Sequence, residues 1–305
     1  MTAALAPFLE TILPIFAVPA LGFLFGFRGL FTHDMAAGIN RFVFYVANPA
    51  LIFGLLSQAP FEGFQWGMIG LYMLASAVLY PIGYLIARRG FGRSPAESLL
   101  LGMAGCFPNH VLFVLPIVTE LYGEAARTPL AAVITIDSVV FFGATLVVMD
   151  VLKTENPSPG RVLAAQLRNP ITMSIVIGIA VNALRVPVHE GLLTYARFAG
   201  VATAPAAMFA LGIILSQANL RRWGVATFTV SFTKLAIHPM LAFLFFSAAG
   251  AAWTEWTTPV LMTAAGPTAA MPFVIALQYG VPTDTITKVI LITTALSVFT
   301  LSALA

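Results

Sequence analysis

Runs of about twenty mostly apolar residues follow one another along the chain from Phe8 to Leu304, and nothing of domain size separates them. A run of that length crosses a bilayer as a helix, because lipid offers no partner for a free backbone N–H or C=O. Only 9 % of the 305 residues are charged and 59 % are hydrophobic, against about a quarter charged in a soluble domain. The sequence therefore predicts an all-α integral membrane protein. Ten spans can be marked, roughly Phe8–Phe27, Ile39–Leu56, Phe64–Ala87, Ala96–Leu121, Pro129–Leu152, Asn169–Leu184, Ala199–Gln217, Val225–Gly250, Thr257–Tyr279 and Ile286–Leu304.

Basic residues fall unevenly between these spans. Links after odd spans carry Arg28, Arg41, Arg88, Arg89, Arg93, Lys153, Arg161, Arg168, Arg221, Arg222 and Lys288; those after even spans carry Arg127, Arg185 and Arg197. The excess of Lys and Arg on cytoplasmic loops puts both termini outside the cytoplasm of a multi-pass inner (plasma) membrane protein. No cleavable leader is expected, since the first apolar run lacks a basic start and a small-residue cleavage site. One cysteine, Cys106, gives neither a disulfide frame nor a cysteine metal site, so it reads as a packing residue. No cofactor is expected, and a scattered formal charge of +3 gives no footprint for nucleic acid.

The two halves of the chain resemble each other at a fixed offset. Pro14 and Pro170 (170 − 14), Pro49 and Pro205 (205 − 49), and Pro116 and Pro272 (272 − 116) all differ by 156. Their neighbours agree in part, as in Pro49-Ala50-Leu51-Ile52-Phe53 against Pro205-Ala206-Ala207-Met208-Phe209. Two copies, 1–155 and 156–305, would each hold five spans. An odd number per copy makes the copies antiparallel in the membrane, the inverted repeat of secondary transporters.

Within the fourth span, Gly102 to Pro116 cannot be one continuous helix. Pro108 lacks an N–H and clashes one turn back, so the helix breaks before it, and Asn109 and His110 follow where lipid tolerates neither. Gly105 precedes the break. The ninth span holds the counterpart, Gly266-Pro267-Thr268. Second half-helices starting near Asn109 and Thr268 would aim N–H groups and positive dipole ends at the bilayer centre, which favours an anion.

With Asn48-Pro49-Ala50-Leu51-Ile52-Phe53, Phe107-Pro108-Asn109-His110, Ala210-Leu211-Gly212 and the Pro267 to Tyr279 region on the page, the chain resembles the auxin efflux carrier family, in bacteria the malonate or organic-acid permease type. The resemblance covers the whole chain. It implies ten helices in two inverted five-helix repeats, with broken helices crossing at the midplane, as in bile-acid symporters and sodium/proton antiporters. It also implies a scaffold domain from about 8–58 and 169–217, through which a homodimer forms, and a moving core from about 64–152 and 225–304. In such carriers the asparagine after the crossover proline contacts the substrate carboxylate, here Asn109. Two departures stand out: the long loop after span five of the plant members shrinks to Lys153–Arg168, and His110 replaces a threonine, which leaves the cargo open between a dicarboxylate such as malonate and an indole acid.

The remaining polar residues within spans admit two readings each. Asn109 serves as a helix cap or as a substrate contact through its NH₂. Lys234, near the middle of span eight, and Asp137, the only acid deep in the apolar region, are each other's most plausible partners; paired they are structure, unpaired they are coupling residues. His110 and His238 either titrate and couple protons or hydrogen-bond to a neighbouring helix. Asn48 satisfies carbonyls freed by Pro49 or faces the substrate path. An enzyme is disfavoured by the lack of a His-Glu-x-x-His motif, a second intramembrane acid or a Gly-x-Ser-x-Gly elbow. A channel is disfavoured by the lack of a charge ring or repeated carbonyl filter. The expected function is a secondary transporter of a small organic anion working by alternating access at the crossover, with proton linkage more plausible than sodium; the alternative is cation/proton antiport through Asp137 and Lys234.

Overall fold

The computed structural model describes residues 17–154, 158–217, 223–251 and 254–304, and the elements among them are helices. In chain order these are α1 (Ala17–Phe27), α2 (His33–Ser57), α3 (Trp66–Gly90), α4 (Pro95–Ala104), α5 (Leu115–Tyr122), α6 (Arg127–Lys153), α7 (Pro159–Arg168), α8 (Pro170–Ala183), α9 (Glu190–Gln217), α10 (Val225–Ala248), α11 (Thr257–Ala265), α12 (Met271–Gln278) and α13 (Asp284–Ser302). Six of them, α2, α3, α6, α9, α10 and α13, are long and apolar enough to cross a membrane unaided. Residues 8–16 of the first expected span, Pro14, Arg221 and Arg222 lie outside the described residues.

Helix starts follow local chemistry. Ser94-Pro95, Ser158-Pro159 and Asn169-Pro170 each put a hydroxyl or amide oxygen at the cap and a proline in the first turn, where its missing N–H costs nothing. Ser94 Oγ accepts from the Glu97 N–H at 3.2 Å, and Asn169 Oδ1 accepts from the Ile171 N–H at 3.1 Å. Two expectations need correcting here. The link Lys153–Arg168 holds a helix of its own, α7, because Ser158-Pro159 starts one; it meets α8 at 81°. The seventh span begins at Glu190 rather than Ala199, since the His189 side chain caps it by accepting from the Gly191 N–H.

Among the described residues five turns are wide and π-helical: Val43–Ala47, Ile86–Gly90, His110–Val114, Ser138–Phe142 and Thr233–Ile237. Two of them run directly into Asn48-Pro49 and His238-Pro239. Proline leaves the carbonyl one turn back without its partner, and a widened turn absorbs the mismatch. These turns carry or adjoin Asn48, His110, Asp137 and Lys234.

Helix α2 packs against α8 and α9, while α3 packs against α4 and α10, and α10 against α13. Close approach is set by small residues. A Cβ on Gly212 would fall 2.1 Å from the Pro19 carbonyl oxygen, and one on Gly22 would fall 2.2 Å from that of Phe209. Helices α1 and α9 therefore touch backbone to backbone.

Candidate functional site

The site forms where two interrupted helices meet. After α4 ends at Ala104 the chain is unwound to Asn109, and after α11 ends at Ala265 it is unwound to Ala270. The two unwound stretches pair antiparallel at Pro108 and Thr268. Asn109 N–H donates to Pro267 O at 2.8 Å and Ala269 N–H donates to Phe107 O at 3.1 Å. Buried peptide groups freed by the breaks are thereby satisfied. Gly266 is required for this contact, because a Cβ there would lie 2.4 Å from Val114 Cγ2. Gly105 is not sterically demanded: its backbone is ordinary right-handed helical, and an added Cβ would meet nothing closer than 3.4 Å.

The carbonyl ends of both first halves are held by side chains from elsewhere in the chain. Thr268 Oγ1 donates to Ala104 O at 2.8 Å, closing α4. Lys234 Nζ donates to Ala264 O at 2.6 Å, at the negative end of α11, and Thr300 Oγ1 donates to Ala265 O at 2.9 Å. Thr268 is wholly buried, its N–H donates to Thr293 Oγ1 at 3.1 Å, and it does not line the cavity described next. It fastens the crossover where the sequence had offered it to substrate. The N–H groups of Asn109 and Thr268, expected free, are both taken.

A cavity of about 290 Å³ lies against the crossover. Asn109, His110 and Val111 line it from one break, Ala269, Ala270 and Met271 from the other, Asn48 and Ile52 from α2, Ser138 from the wide turn of α6, and Thr203 from α9. The walls are otherwise apolar. Asn109 is 5 % exposed, makes no cap bond to the helical turn it precedes, and its Nδ2 has no hydrogen-bond partner. Leaving such a donor unpaired costs about 1–3 kcal/mol, and the bond expected of a helix cap is not made. Asn48 Nδ2 points to Met271 Sδ at 3.5 Å, bridging α2 and the second break. Ser138 and Thr203 were missed in the sequence, where a hydroxyl in an apolar helix carries no distinguishing signal.

Behind the cavity wall the expected Asp137–Lys234 ion pair is not made. Asp137 Oδ2 accepts from Tyr72 OH at 2.8 Å and lies 2.7 Å from His110 Nε2, and its Oδ1 has no partner. Lys234 instead takes Ala264 O and His238 Nδ1, the latter at 3.3 Å. That leaves His238 Nε2 facing Ser76 Oγ at 3.0 Å. Tyr72 and Ser76 are one turn apart on α3 and so hold the two clusters side by side. His238 and Lys234 are fully buried, and neither they nor Asp137 lines the cavity.

On one flank of the bundle a second polar cluster joins distant helices. Asp150 Oδ1 accepts from Tyr279 OH at 2.6 Å and Oδ2 accepts from Gln166 Nε2 at 2.7 Å, while Asn169 Nδ2 donates to Tyr279 OH at 3.4 Å. Gln278 Nε2 donates to Tyr45 OH at 2.9 Å. These bonds tie α6, α7, the start of α8, the end of α12 and α2.

Apolar helices that enclose a cavity with a few polar groups at the meeting of two broken helices fit a membrane transport protein. A model of the membrane transport protein family matches residues 7–157 and 153–305, and the chain belongs to that family. It is 29 % identical over 302 residues to a "Putative malonate transporter" of Rhizobium meliloti, covering 96 % of this chain and 93 % of that one. An "Uncharacterized transporter" of Methanothermobacter thermautotrophicus is 24 % identical over 294 residues, covering 96 % and 95 %. Auxin efflux carrier component 2 of Arabidopsis thaliana is 25 % identical over 117 residues, covering 37 % of this chain and 18 % of that one. The chain is thus a multi-pass membrane transporter of the auxin efflux carrier kind, and not an enzyme.

Proposed function

We infer that the protein carries a small organic anion, of the malonate type, across the inner membrane by alternating access at the crossover. The observation that carries this reading is the buried, partnerless amide of Asn109 on the cavity wall. Around it stand the first turns of two second half-helices, whose early N–H groups have no partner within their own helix. An amide donor beside positive dipole ends, with no fixed cation in direct contact, suits a carboxylate that must be released again. A dicarboxylate is favoured over an indole acid by His110 on the cavity wall and by the likeness to a relative named for malonate.

In this reading the chain has ten spans in two inverted repeats, 1–155 and 156–305, with α4/α5 and α11/α12 as the broken fourth and ninth. Residues 8–58 and 169–217 form the scaffold and the dimer contact, and 64–152 with 225–304 form the core that moves past it. Both termini lie outside the cytoplasm. The cavity is supported as the carrier site by its position between the two sets, with Asn48 and Thr203 from one and Asn109, His110 and Ser138 from the other. Cation/proton antiport through Asp137 and Lys234 is the weaker reading, because the Lys234 ammonium is engaged at the end of α11 and does not face the carboxylate.

The test is counterflow in proteoliposomes loaded with unlabelled malonate. Labelled malonate should accumulate transiently with the native protein and be competed by other short dicarboxylates. Entry that never saturates, or no entry at all, would reject the reading.

A further inference from the structure

We propose that His110 and Asp137 form a proton-binding site of the carrier, and that the proton and the anion occupy the protein together. This rests on the anion-carrier reading and adds to it a second, coupled ligand.

The geometry is specific. His110 belongs to the cavity wall, and its Nε2 lies 2.7 Å from Asp137 Oδ2, with both side chains nearly dry at 5 % and 1 % exposure. With Nε2–H donating to the carboxylate, an added proton goes to Nδ1, and the pair becomes an imidazolium held by a carboxylate. Every titratable group around the pair is already committed. Tyr72 on α3 donates to the same Oδ2. Lys234 and His238 on α10 are bound to Ala264 O, to each other and to Ser76. Cys106, in the unwound stretch, is buried and donates weakly to Gly102 O at 3.5 Å. Of these, Lys234 could turn to the carboxylate only by giving up Ala264 O at the crossover.

The electrostatic consequence follows. Without the proton, the cavity wall is backed by a carboxylate whose Oδ1 is unpartnered, and an arriving anion meets it through a medium of low dielectric. With the proton, the nearest charge is the imidazolium of His110, and the same anion is attracted. Anion and proton therefore raise each other's affinity, by the same factor in both directions. A titrating group at the wall, and a histidine in particular, suits this because its charge changes across the physiological range. The outcome is anion–proton symport, in which the loaded proton enters and leaves through the cavity with the anion.

The test is done on the purified native protein in weakly buffered detergent with malonate as probe. Malonate binding is read by calorimetry and proton uptake by a pH indicator, with the signal of malonate added to protein-free detergent subtracted. Over a pH series that spans about 5 to 8, the range in which an ordinary histidine changes charge, uptake should rise toward about one proton per malonate, and on its alkaline side the Kd should weaken about tenfold per pH unit. His110→Gln, which keeps an N–H for Asp137 but accepts no proton, should bring uptake per bound malonate close to zero. Saturable malonate binding with no proton uptake at any pH in the native protein overturns the coupling and leaves the carrier standing. Full proton uptake in a folded His110→Gln protein overturns the assignment of the site. Absence of malonate binding together with absence of counterflow overturns the carrier reading, and this inference with it.

Discussion

The backbone N–H of Asn109 donates to the carbonyl of Pro267 at 2.8 Å, although 158 positions (267 − 109) separate the two residues. That bond, with its mate from Ala269 to Phe107, joins the two broken helices, while the Asn109 side chain, at the cavity wall, has no partner for its Nδ2. The backbone is spent on architecture, and in the carrier reading the amide is what remains for the cargo.

Removing that amide should impair transport and spare the fold. A hydrogen bond to a charged group contributes about 1.5–3 kcal/mol, so Asn109→Ala is expected to weaken apparent malonate affinity about 10- to 100-fold in counterflow. Its elution as a single species in detergent should be unchanged.

The crossover depends on Gly266 in a way that a second substitution can reveal. Gly266→Ala puts a methyl 2.4 Å from Val114 Cγ2, and overpacking of this kind costs about 1–3 kcal/mol. A lowered thermal midpoint in detergent, restored in large part by Val114→Ala in the same protein, is the expected result. No recovery in the double variant would place the strain elsewhere.

Lys234 and Asp137 answer to different partners, so exchanging them should not help. Lys234→Met leaves Ala264 O and His238 without a donor and is expected to destabilise by about 1–3 kcal/mol. The double variant Lys234→Asp/Asp137→Lys should be at least as unstable as either single change. A swap more stable than both singles, measured by thermal unfolding, would restore the direct ion pair.

The flank cluster around Asp150 makes its own prediction. Tyr279→Phe removes one donor to the carboxylate, worth about 1.5–3 kcal/mol, and one acceptor from Asn169, worth about 1 kcal/mol. Amide hydrogen exchange in 158–172 should quicken severalfold, with exchange in α11 unchanged.

Much of the crossover was legible in the sequence, because its cause is local. A proline in an apolar run breaks a helix wherever the run is placed, and Pro108 and Pro267 do so within a few residues of the expected positions. What each broken end would touch was not legible. Thr268 and Asn109 occupy comparable places after their prolines, yet one hydroxyl reaches Ala104 O and the other side chain is left open. That difference is set by α4 and α13 packing around Thr268, which no spacing encodes. The Asp137–Lys234 pairing failed for a related reason. Two opposite charges in lipid invite pairing, but an unsatisfied carbonyl at the end of α11 competes for the ammonium, and Tyr72, a residue with no sequence signal beyond its hydroxyl, competes for the carboxylate. The helix in Lys153–Arg168 is signalled by Ser158-Pro159, but at ten residues it is too short to register as a span.

The most direct measurement of the central claim is malonate counterflow by the native protein beside Asn109→Ala in matched proteoliposomes. Saturable accumulation by the native protein, reduced at least tenfold in apparent affinity by the substitution, is the predicted result. Equal counterflow from both proteins would contradict the account, since the partnerless amide on the cavity wall would then have no part in holding the anion.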